Sequence, residues 1–152
     1  MRYILLATFT MFCCVFAHAQ HTYTIHTTWD GVSNTIALTQ HISWTNTSDV
    51  ARDKIVSLDW NHAYASERSP LGKFLSNEYD YKLIRTKKQK RGVTSLSEIR
   101  HEHNTLEWSR LKNQIDIIEV SLPKAVVPNG QFSFSVHYTV QLPDAVSYTH
   151  LR

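Results

Sequence analysis

The chain has 152 residues, 16 Lys+Arg against 13 Asp+Glu and a formal charge of +3, so no one-sided basic excess marks it for nucleic acid. Its length fits one domain with a sizeable core. Four scattered glycines in all offer no phosphate-cradling glycine loop, and the two cysteines, Cys13 and Cys14, sit side by side near the amino terminus.

The first residues read as an export signal. Arg2 supplies a positive charge, an apolar run extends from Ile4 to Phe16, and Ala17-His18-Ala19 places small residues where a signal peptidase reads them. The run is shorter than the about 20 residues a membrane helix needs, and cleavage is expected after Ala19. Residues 1–19 carry both cysteines and only Arg2 of the charges, so the mature 133 residues hold no thiol, no disulfide framework and a net charge of +2, from 15 cations and 13 anions. A lipoprotein reading needs small residues before the modified cysteine, and Met11-Phe12 stand there instead. The expected location is therefore exported: periplasmic, outer-membrane-associated or secreted.

Residues 20–145 read as the β domain. Tyr23, Ile25, Thr27 and Trp29 alternate with polar neighbours, Asp30-Gly31 suits a turn, and from Thr35 to Thr45 Ile36, Leu38, Ile42 and Trp44 share one parity. Period two with a turn between predicts a β-hairpin. A third strand is predicted at Lys54 to Trp60 with Val56, Leu58 and Trp60 sharing one apolar face, after the polar loop Thr45 to Asp49. Ser69 as N-cap, Pro70 at the first helical position and Leu71, Phe74 and Leu75 at helical spacing predict a short helix that Gly72 weakens.

The cluster Lys87-Lys88-Gln89-Lys90-Arg91-Gly92 predicts an exposed loop, since close cations repel and favour solvent. Strands are predicted again at Val93 to Arg100, Thr105 to Trp108 and Gln114 to Leu122, the last with Ile115, Ile117 and Val120 inward. After the turn Pro128-Asn129-Gly130, Phe132, Phe134, Val136, Tyr138, Val140 and Leu142 alternate with polar residues. Many alternating strands without a strand-helix-strand rhythm predict a mainly β fold, an antiparallel β-sandwich with a short helical insertion.

His101-Glu102-His103 offers metal-ligand residue types, but a zinc-protease helix needs His-Glu-x-x-His and position 105 is Thr105. No further ligand is near in sequence, and the nine histidines are scattered without ligand spacing. No nucleophile elbow or paired catalytic carboxylates stand out either. The chain alone is therefore assigned no catalytic, cofactor-binding or metal-binding residue. Trp29, Trp44, Trp60 and Trp108 fall on apolar parities and are expected in the core rather than on a sugar-stacking platform. Asn46-Thr47-Ser48 matches a glycosylation sequon.

The segment Ser57-Leu58-Asp59-Trp60-Asn61-His62-Ala63-Tyr64, with Ser69-Pro70-Leu71 and the basic stretch ending Arg91-Gly92, resembles the amino-terminal region of bacterial aminopeptidase-N-like (gluzincin) zinc metallopeptidases. With the Ile115 to Leu122 strand and the Pro128 turn into Leu142, the likeness runs from about Tyr23 to Pro143. The resemblance implies a β domain that docks on, and walls the cleft of, a thermolysin-like catalytic domain in the same polypeptide. In that family the catalytic domain carries His-Glu-x-x-His, a downstream glutamate and Gly-x-Met-Glu-Asn, binds zinc and acts on peptides. None of those motifs occurs here, so no catalytic or zinc-binding residue carries over and no cofactor is implied for this chain itself. Residues 146–152, Val-Ser-Tyr-Thr-His-Leu-Arg, resemble a translated sequencing-adapter tail, which implies an artefactual end on an amino-terminal fragment. The second reading is a free-standing secreted β-sandwich that binds carbohydrate or protein through aromatics such as Tyr64, Tyr79 and Tyr81. A third, a metal-dependent enzyme built on His101, Glu102 and His103, ranks last.

Overall fold

The computed structural model describes residues 21–143; the segments expected to be an export signal, with its two cysteines, and a 146–152 tail lie outside the described residues. The chain is mainly β. Its strands are β1 (His21–Asp30), β2 (Thr35–Thr45), β3 (Arg52–Leu58), β4 (Val93–His101), β5 (Asn104–Thr105), β6 (Trp108–Leu111), β7 (Gln114–Val126) and β8 (Gln131–Gln141). Two antiparallel sheets face one another: a larger one ordered β1-β2-β8-β4-β5 and a smaller one ordered β3-β7-β6. Between β3 and β4 lie a 3-10 helix (Trp60–Ala65), α1 (Pro70–Asn77), α2 (Lys82–Arg85) and a short 3-10 turn (Lys88–Lys90). Among the described residues no helix is long and apolar enough to cross a membrane.

The hairpin and the last strand form as their alternation predicts. Tyr23 pairs with Ile42 and Ile42 with Phe134, while Thr27, Leu38, Tyr138 and Leu96 make another row across four strands. Directly opposed residues share a face, so the apolar parities of β1, β2 and β8 fuse into one inward surface. Phe134 and Val136 are buried there with Ile99, against Ile55, Ile118 and Val120 of the smaller sheet. The β1–β2 turn is closed at its far end, where Asn34 adopts φ 53°, and Asp30 accepts from Val32 N at 2.9 Å. Gly31 has no positive φ, so the left-handed residue of this turn is an asparagine.

The smaller sheet corrects two parities. In β3 it is Ile55 that is buried, opposite Val120, whereas Val56 and Leu58 are exposed and Trp60 has left the strand for the 3-10 helix. In β7, Ile118 and Val120 are buried, and Ile117 pairs with Leu58 on the other face. Both strands carry apolar residues on both parities, so pairing register, not composition, selects the inward set. Pro123 falls where the β3–β7 register shifts between Arg52 and Lys54, so its missing N–H removes no regular ladder bond. A second irregularity between Leu96 and Glu98 lets Leu96 and Ile99, three apart, both face the core. The strand expected at Thr105 to Trp108 is instead two short strands separated by Leu106-Glu107, with Leu106 buried.

The insertion is pinned by buried polar groups. Ser69 caps α1: its Oγ accepts from Gly72 N at 3.0 Å and donates to Ala63 O at 2.6 Å. A Cβ on Gly72 would stand 2.5 Å from Glu67 O, so this glycine is required by a close backbone approach. Arg91 corrects the reading of the basic run as wholly solvated. It is buried, donates through Nε to Thr86 O at 3.0 Å and pairs with Glu67 at 2.5 Å, while residues 87–90 are exposed.

Candidate functional site

β3 lies across β7 from β6, so the three-stranded sheet is too narrow to cover all five strands opposite. A cleft of about 380 Å³ opens between the sheets along β1 and β3. Tyr23, Ile42 and Trp44 line it from the larger sheet, and Ile55, Leu58 and Trp60 from the smaller. Its rim is apolar and open to solvent: Tyr23 is 54% exposed and Trp60 57%, and Ile25 and Trp29 extend the same face of β1. Trp29, 68% exposed, and Trp60 therefore depart from the expected core role, which Trp44 and Trp108 do fill. For Trp29 a strand read singly cannot show this, because the number of strands in the opposing sheet decides which inward residues are covered; Trp60 departs because β3 ends at Leu58.

The cleft ends on a buried polar network. Asp59, just after β3, and Arg110, on the inward face of β6, pair at 2.7 Å with side chains 10% and 17% exposed. Thr94 Oγ1 donates to Asp59 Oδ1 at 2.8 Å and His62 N donates to the same oxygen at 3.2 Å. Arg110 also donates to the Ile115 carbonyl at 2.7 Å and to the Thr94 carbonyl at 3.3 Å. His62 Nδ1 lies 3.0 Å from the Thr94 carbonyl and 3.3 Å from Thr94 N, donating to the first or accepting from the second according to its tautomer. Burial, and next the Arg110 cation, hold the His62 imidazole below its ordinary pKa, so the ring is neutral at pH 7. Burial pushes the Tyr138 phenol up, with the Asp59 carboxylate adding to the effect; its hydroxyl donates to Gln40 Oε1 at 3.1 Å.

The network spans four elements: the β3 end, the 3-10 helix, β4 and β6. Gly92 is part of the fit, because a Cβ there would stand 2.7 Å from Asn61 Oδ1. Both Asp59 oxygens and both terminal guanidinium nitrogens of Arg110 are engaged within the protein. The arrangement therefore fixes the two sheets to the insertion at the cleft's end and leaves neither group poised as base or electrophile. In sequence, only Asp59, Asn61 and His62 stand together; Thr94 and Arg110 join them through strand pairing.

The remaining sequence candidates are dispersed. His101 Nδ1 contacts the Ser133 carbonyl at 2.6 Å and its ring stacks on Phe132 at 4.3 Å, while Glu102, at φ 53°, and His103 form the exposed β4–β5 link. Among the described residues no group of three His, Cys, Asp or Glu side chains converges to hold a metal. Asn46 of the sequon is 1% exposed. Its Nδ2 donates to Val50 O and Val126 O, both at 2.8 Å, and its Oδ1 accepts from Ser48 N and Oγ. Both amide hydrogens are thus committed to a loop-closing role. Tyr79 and Tyr81 are exposed away from the cleft lining. No protein-family model matches the chain, and no characterised protein matches it significantly.

Proposed function

We propose that this chain is the non-catalytic amino-terminal β domain of an exported zinc aminopeptidase-like metallopeptidase, docking on and walling the cleft of a catalytic domain in the same polypeptide. The observation that supports this is the exposed apolar face of β1, Tyr23, Ile25 and Trp29, with Trp60 exposed across the cleft from Tyr23. A soluble module rarely leaves such residues side by side in water, whereas a domain that packs on a neighbour requires them. Zinc and peptide belong to the catalytic domain in this reading. The chain's own described residues do not make a three-ligand zinc site, so no catalytic step is assigned to them. The free-standing carbohydrate- or protein-binding module calls for an aromatic groove in a mostly polar surface; of its aromatics, Tyr79 and Tyr81 do not line the cleft, and Tyr64 packs edge-on against Trp60.

Sequencing the gene from independent template across the Ala145 codon tests the proposal. A long continuation carrying His-Glu-x-x-His and a downstream glutamate is expected. A genuine stop directly after Arg152 overturns it.

A further inference from the structure

Four strands among the described residues lie at sheet edges, and three of them carry devices that discourage pairing with another chain. β5 has only two residues. β6 has four and a register shift at Arg110/Leu111. β3 begins Arg52-Asp53-Lys54 and contains a bulge at that charged end. Short length, charge and bulges are the ordinary means of protecting an edge.

β1 has none of them. It runs ten residues in unbroken register with β2, from His21 opposite Trp44 to Asp30 opposite Thr35. It has no proline or lysine, and its single acidic residue is the last one. Its two faces differ: Tyr23, Ile25 and Trp29 border the space that the smaller sheet fails to cover, and Thr22, Thr24, His26 and Thr28 lie on the other side.

We propose that β1 is an acceptor edge, to which the partner domain adds an uncharged extended segment as a further antiparallel strand. The segment's apolar residues extend the Tyr23–Ile25–Trp29 face, and its polar residues extend the threonine face. This rests on the docking reading above and specifies how docking occurs. Direction follows from the end of β8. Gln141 pairs with Thr35, and Leu142 N donates to Asn34 O at 3.1 Å, so chain leaving β8 emerges at the loop that closes β1 and β2. At roughly 4.8 Å per strand, the open edge of β1 is about three spacings away, within reach of roughly five extended residues. A segment entering there runs from Asp30 toward His21, antiparallel to β1. The added strand would supply backbone partners to the edge and cover the half-exposed Tyr23 and Ile25, the two requirements of β-strand addition.

Fluorescence anisotropy with the full chain and a labelled ten-residue peptide of alternating valine and threonine tests this. Alternate N–H groups of an added strand face its neighbour, so two N-methylated versions of the peptide, one on each parity, should separate: one binds and the other does not. Ile25→Lys, an inward charge at a half-exposed edge position, should weaken binding at least about tenfold. Val32→Lys, in the fully exposed turn, should leave binding unchanged. Equal binding of both methylated peptides reveals mere apolar adhesion and overturns the proposal, as does absence of binding. Formation of dimers that Ile25→Lys abolishes, without peptide binding, gives the edge to a second copy and overturns it too. If the gene continues into the zinc motifs while the peptide fails, the docking reading stands and the acceptor edge alone falls.

Discussion

Replacing Asp59 by asparagine probes whether the polar network at the end of the cleft holds the sheets together. The side chains change little in volume, but Arg110, 17% exposed, loses the carboxylate 2.7 Å from its guanidinium. Removing one partner of a buried pair costs about 3–5 kcal/mol, because the remaining charge is left uncompensated. The Ile115 and Thr94 carbonyls still accept from Arg110, which places the expected loss at the low end, about 3 kcal/mol. Against a domain stability of about 5–15 kcal/mol this is a large fraction. At roughly 3 °C per kcal/mol for a chain of this size, Tm should fall by about 10 °C. Urea titration and a circular-dichroism melt of Asp59→Asn measure it. The double variant Asp59→Asn/Arg110→Met should lose less than the sum of the two single changes, since it strands no cation. A loss under about 1 kcal/mol for Asp59→Asn would mean that the pair behaves as a solvent-screened surface bridge and would refute the reasoning.

His62 gives a pH dependence. Its folded pKa lies below the ordinary 6.5, so the folded state takes up its proton only at lower pH than the unfolded state does. The associated stability is present above 6.5 and is lost as pH falls through the folded value. Between pH 7.5 and 5 the urea midpoint of the native protein should drop further than that of His62→Gln; identical drops would remove His62 as the cause. Gly72→Ala sets two effects against each other. Alanine favours a helix by about 1 kcal/mol, but its Cβ would stand 2.5 Å from Glu67 O, a backbone contact relieved only by moving the loop. Overpacking costs of about 1–3 kcal/mol should win, and thermal melting that shows stabilisation would contradict this packing.

The exposed basic run shows how one residue escapes a composition-based reading. Residues 87–90 are in solvent as charge repulsion dictates, yet Arg91 is drawn inward by an acceptor five residues back and a carboxylate 24 residues back. Likewise Asn46 carries a surface-type motif but is buried, because Val126, 80 residues later, supplies an acceptor for it. No local pattern records a partner so distant. The polar network at the cleft is hidden for the same reason: Asp59 and Arg110 are 51 residues apart and meet only after β3, β7 and β6 have paired.

By itself the sequence determined the β class, the β1–β2 hairpin, the Ser69 helix start and the inward face of β8. In each of these, one parity or one capping pattern carries the whole signal, and short-range geometry suffices to read it. Tertiary structure alone decided the inward faces of β3 and β7, where both parities are apolar and register breaks the tie. It also decided that the chain leaves β3 before Trp60, which enters the 3-10 helix, and that Trp29 remains in water. A three-stranded sheet cannot cover a five-stranded one, so apolar side chains past its edge are left open however strongly their own strands alternate.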